Sequence, residues 1–63
     1  MKAPLSAEVE NNVALMFYHL GYGFEIEGQY DDAIENFRLA LQKNPDFSPA
    51  KLHLNELLKL RNS

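Results

Sequence analysis

The chain has 63 residues, nearly half of them hydrophobic, with a formal net charge of −3 and no cysteine. That length makes one domain at most, residues 1–63, and a chain so short buries only about 60% of its unfolded surface. The composition excludes intrinsic disorder, disulfide scaffolds and cysteine-ligated zinc, and the acidic balance argues against a nucleic-acid binder.

The charge is uneven. Residues 1–35 carry seven acids against one base, Lys2, whereas residues 36–63 carry five bases against two acids. Five scattered bases make a weak electrostatic footprint, but the asymmetry can orient two copies head to tail.

The first element is a helix. Ser6 is read as its N-cap and Glu8 lies in its first turn, where a negative charge suits the dipole. Val9, Val13, Phe17, Leu20 and Phe24 recur at helical steps and predict one apolar stripe. Glu10, Asn11 and Asn12 are indifferent helix formers, which favours a start later than Ala7. The helix is expected to reach Glu27 and stop at Gly28. Its apolar run, residues 13–24, is too short for a bilayer and contains His19. It also lacks the basic flank and small-residue cleavage site of a signal peptide, so the reading is a buried helix and a cytoplasmic location by default.

A second helix is expected from a capping Asp31, with Ala33, Ile34, Phe37, Ala40 and Leu41 on its apolar face and Asn44-Pro45 ending it. The short link between these helices makes them antiparallel neighbours. A third is read with Ser48 as N-cap and Pro49 at its first position. Ala50, Leu54, Leu57 and Leu58 share one face, while Leu52 and Leu60 point elsewhere. Nothing alternates with a period of two, so the expected fold is all-α.

Phe17-x-x-Leu20-Gly21-x-x-Phe24, then Ala33-x-x-x-Phe37, then Pro45, follow one another in a recognisable order. This resembles the tetratricopeptide repeat, with Phe17 where the family has Trp and Phe24 where it has Tyr. One repeat covers residues 14–47, just over half the chain, with 1–13 an extension of its first helix and 48–63 a capping-type helix. The third helix departs from the pattern, having Asn55 in place of a glycine and Lys51 in place of an aromatic. The resemblance implies an antiparallel helix-turn-helix unit of an α-solenoid. Gly21 and Ala33 are then the small residues where the helices cross. Phe17, Leu20, Phe24 and Phe37 are the large residues beside them, with Ala40 and Pro45 completing the pattern. Gly28 supplies the freedom the turn needs, and Gly23 stands outside the pattern.

The three glycines therefore do not read as a phosphate loop. No strand precedes them and no Gly-Lys-Ser/Thr follows. His19 and His53 are one repeat apart and are expected near each other, but a metal would need Glu25 or Glu56 to converge with them. Asp31 and Asp32 read as capping charges. Ser6, Ser48 and Ser63 sit at helix starts or the terminus, away from any histidine–acid pair. The expectation is a protein with no enzymatic activity, no cofactor and no metal.

In this family the first helix of a repeat lines a concave groove for peptides. Carried onto this chain, the groove residues are Leu15, Tyr18, His19, Tyr22 and Ile26, continued by Leu52 and His53. Tyrosines combine large area with a polar tip and are favoured anchors. They can equally close the core of a three-helix unit. Lys, Arg and Asn are missing from the matching positions, so an acidic carboxyl terminus is not the expected ligand. The first functional reading is a protein-interaction module. The alternative is a self-assembling unit, a homodimer favoured, associating through Val9, Val13, Leu52 and Leu60, because one repeat leaves faces that its neighbours normally cover. A piece of a longer or engineered array is a further reading.

Overall fold

The computed structural model describes residues 5–62, and side chains from residue 11 onward. Three helices follow one another: α1 (Leu5–Ile26), α2 (Tyr30–Lys43) and α3 (Ser48–Asn62). Among the described residues there is no strand. α1 packs on α2 and α2 on α3. The short links reverse the chain twice, so α1 and α3 run parallel on the same neighbour.

The helix starts differ from the sequence reading. α1 is already helical at Leu5, so Ser6 lies inside the first turn and does not cap it. The indifferent formers at 10–12 do not delay the helix, because propensity is a weak preference that tertiary contacts override. One such contact is visible: Asn44 Nδ2 donates to Asn11 Oδ1 at 2.9 Å and ties α1 to the end of α2. Gln29, not Asp31, is the N-cap of α2, and its carbonyl accepts the Ala33 N–H at 3.0 Å without a side-chain cap. Asp31 and Asp32 sit in the first turn, where their charge still complements the dipole. Likewise the Phe47 carbonyl accepts the Lys51 N–H at 3.3 Å, which puts Ser48 inside α3 rather than at its cap.

The helix ends agree with it. The Gly28 N–H donates to the Glu25 carbonyl at 3.0 Å and the Gln29 N–H to the Phe24 carbonyl at 2.9 Å. That pair of bonds is the Schellman motif, which needs a left-handed residue at C′, and Gly28 has φ +80°. At the end of α2, Pro45 forces Asn44 into an extended conformation, φ −143° and ψ 95°. The Asn44 N–H still reaches the Ala40 carbonyl at 2.9 Å, and its Oδ1 accepts the Asp46 N–H at 3.2 Å.

The core consists of Ala14 from α1, Ala33, Ile34, Phe37 and Ala40 from α2, and Ala50 and Leu57 from α3. Phe17, Tyr18, Phe24, Leu41, Phe47, Leu54 and Leu58 pack around it, half-buried. Phe37 is the largest fully buried side chain, together with Leu57. A Cβ on Gly21 would lie 2.9 Å from two ring atoms of Phe37, so α1 meets α2 at a point where only hydrogen fits. Leu20, expected beside that contact as a packing residue, is instead 47% exposed. The reason is geometric: the contact is centred on small residues, Ala14 and Gly21, which turns the stripe of large residues to one side. Pro45 is also exposed and acts only by ending α2.

Gly23 and Gly28 separate two roles of the same residue. No atom lies within 4 Å of a Cβ built on Gly23, which is exposed in mid-helix. Gly23→Ala is therefore expected to raise stability by about 1 kcal/mol, the helix-propensity difference. Gly28→Ala is expected to lower it by about 1–2 kcal/mol, the cost of a left-handed alanine. Urea midpoints of the two variants check this, and equal shifts of one sign would contradict it.

Candidate interaction site

Tyr18 stands where the three helices meet. It projects from α1 between Phe37 of α2, at 5.7 Å between ring centroids, and His53 of α3, at 5.6 Å. Phe47, from the link before α3, meets it edge-on at 5.4 Å, and Tyr22, one turn further along α1, stacks at 6.5 Å. His53 in turn lies 5.4 Å from Phe37 and 5.8 Å from Tyr22. Offset and edge-to-face aromatic pairs at these distances contribute about 0.5–1.5 kcal/mol beyond the area they bury.

A hydrogen-bonded chain runs through this cluster. His53 Nδ1 is 3.0 Å from Glu25 Oε1, and a carboxylate can only accept, so Nδ1 carries the proton. In the neutral ring Nε2 is then an acceptor, and the Tyr18 hydroxyl donates to it across 3.4 Å. Tyr18, His53 and Glu25 thus connect α3 to α1 from partly buried positions, with the His53 and Glu25 side chains 24% and 27% exposed. The second cross-link, Arg61 to Asp31 at 3.4 Å, is far more exposed and contributes little.

The groove residues expected from the sequence divide into three groups. Tyr18 and His53 belong to the packed junction. Leu15, Tyr22, Ile26 and Leu52 remain open at 42%, 46%, 68% and 65% exposure. His19 is exposed and lines a shallow depression with Leu20, Gly23, Phe24 and Glu27. Each histidine ring lies 5.6 Å from the Tyr18 ring. Among the described residues no group of three His, Asp or Glu side chains is placed to hold a metal. Of the residues set aside for self-association, Leu52 and Leu60 are exposed, Val13 is half-buried and Val9 lies outside the described side chains.

Phe47 and Glu25 are the members sequence reasoning missed. Phe47 lies in a link, outside every helical stripe, and no periodicity marks it. Glu25 reads from the sequence as a candidate metal ligand or as one of a pair of acids with Glu27, not as a partner of His53 in packing. Its position seven residues after Tyr18 puts both on one face, and that register was the available signal.

His53→Ala is expected to cost about 1–3 kcal/mol, since it strands a partly buried carboxylate and hydroxyl together. Tyr18→Phe removes only the longer bond and should cost less. Chemical denaturation of both variants tests this. A His53→Ala loss no larger than that of Tyr18→Phe would mean that the histidine bridges nothing.

Among the described residues no helix is long and apolar enough to cross a membrane. Compared with protein-family models, with curated proteins and with solved structures, the chain gives no match.

Proposed function

We propose that this chain is a non-catalytic protein-interaction module of tetratricopeptide-like build, binding an apolar peptide or amphipathic helix along α1. The observation that carries this reading is the stripe of Leu15, Tyr22 and Ile26, each more than two-fifths exposed. Their spacings of seven and four residues put them on one line along the helix. Tyr22 is braced from beneath by Tyr18 and His53, so its ring is held in place before any partner arrives. Less side-chain freedom is then lost on binding. Residues 11–27 hold two carboxylates, Glu25 and Glu27, and no Lys or Arg. A neutral or basic partner suits this surface better than an acidic one. An amphipathic helix laid along such a stripe buries anchors at steps of three and four residues.

Selection from a random peptide library tests the reading. The expected ligands carry apolar residues at those steps. Ile26→Ser should weaken binding by at least about tenfold, or roughly 1.4 kcal/mol, with the urea midpoint unchanged, and Tyr22→Ala should weaken it as much while lowering the midpoint through its two lost ring contacts. Tyr18→Ala does not serve here, because Tyr18 belongs to the packed junction. A library that yields no ligand dependent on Tyr22 would sink the proposal.

A further inference from the structure

The first and last helices each leave one side uncovered, and the two sides differ. On α1, Met16 and Leu20 are 51% and 47% exposed and sit one turn apart, off the buried stripe of Ala14 and Gly21. Leu20 continues into the shallow depression it shares with His19, Gly23, Phe24 and Glu27. The charge on this patch is the carboxylate of Glu27. On α3, a second shallow depression is lined by Asn55, Leu58, Lys59 and Asn62. Lys51 lies on the same side by helical register, so the charge there is cationic. Glu56 stands at the edge of this side, three residues before Lys59 and three after His53, so the patch carries two lysines against one carboxylate.

We infer that the α1 patch of one copy docks on the α3 patch of another, giving head-to-tail association of the chain. Charge chooses the occupant. Two α3 patches face to face would set Lys51 and Lys59 against their own counterparts. Two α1 patches would bring no cation to Glu27. Only the unlike pairing brings opposite net charges together. The wider sequence has the same polarity, seven acids to one base before residue 36 and five bases to two acids after it. A contact between unlike patches leaves one of each free on every dimer, so association continues beyond two copies unless it closes into a ring. This surface is separate from the Leu15–Tyr22–Ile26 stripe.

Two double variants test the inference. Met16→Asn with Leu20→Asn blocks the head, and Lys51→Glu with Lys59→Glu blocks the tail. All four positions are exposed, and far-UV circular dichroism checks that both variants are folded. Light scattering across a dilution series is expected to show the native chain growing in mass with concentration, less so at high salt. Each variant alone should stay monomeric. Their equimolar mixture should double in mass, about twofold, and then stop, because one free head meets one free tail. A native chain that remains monomeric at the highest concentration overturns the inference. So does a mass that stops at two, or a variant that self-associates alone. Tyr22→Ala should leave association intact while peptide binding is lost, which keeps this surface distinguishable from the groove.

Discussion

Phe37→Ala is expected to leave the chain largely unfolded at room temperature. The ring is fully buried, meets Tyr18 and His53 within 6 Å and fills the space opposite Gly21. Truncating a buried phenylalanine costs about 3–5 kcal/mol. A domain of this length has about 3–9 kcal/mol in all, from typical values per residue. The loss takes most of the stability because one side chain serves three helices. Phe37→Leu, which keeps most of the volume, should cost under about 1.5 kcal/mol. Far-UV circular dichroism with urea titration separates the outcomes. A Phe37→Ala variant with native helicity and an unchanged midpoint would remove Phe37 from the centre of the fold.

Gly21→Val is expected to be nearly as damaging, by the opposite route of overfilling. Even the first added carbon would stand 2.9 Å from Phe37 Cδ1 and Cε1 and 3.1 Å from Cζ. The ring cannot retreat easily, since His53 and Tyr18 lie against it. Overpacking costs about 1–3 kcal/mol, and a branched side chain falls at the upper end or beyond. Gly21→Ala is the finer test. Alanine gains about 1 kcal/mol as a helix former, so its net loss is smaller than the steric term alone. Combining Gly21→Ala with Phe37→Leu should cost at least about 0.5 kcal/mol less than the sum of the single changes, because the smaller side chain makes room. Strict additivity would mean that the two residues do not meet.

The three glycines show what the sequence carries and what it hides. The helix end at Gly28 was legible from position, whereas the close crossing at Gly21 and the idle place of Gly23 were expected only through the resemblance to a repeat. The three helices were legible too, and so was the buried face of α2, whose large and small residues keep a regular step. The contact face of α1 was less so. Counting large apolar residues led to Leu20, but the helices touch through Ala14 and Gly21, and small residues leave little trace in a hydrophobic pattern. The groove was half legible for a related reason. Tyr18 and Tyr22 share a face of α1, yet only the position of α3 decides which ring is covered. That position depends on Phe47 and on a Glu25–His53 bond across 28 residues, and local periodicity holds neither.

The order of packing also governs the kinetics of folding. Each helix makes its main contacts with the next one along the chain, across links of only a few residues. Closing such short loops loses little chain entropy, and topologies of this kind fold in microseconds to milliseconds. The α1–α2 hairpin can assemble first around Gly21 and Phe37, leaving α3 to dock last through Ala50, Leu57 and His53. Amide protons of α3 should therefore exchange with solvent ahead of those in the middle of α2, through a partial opening in which the hairpin stays intact.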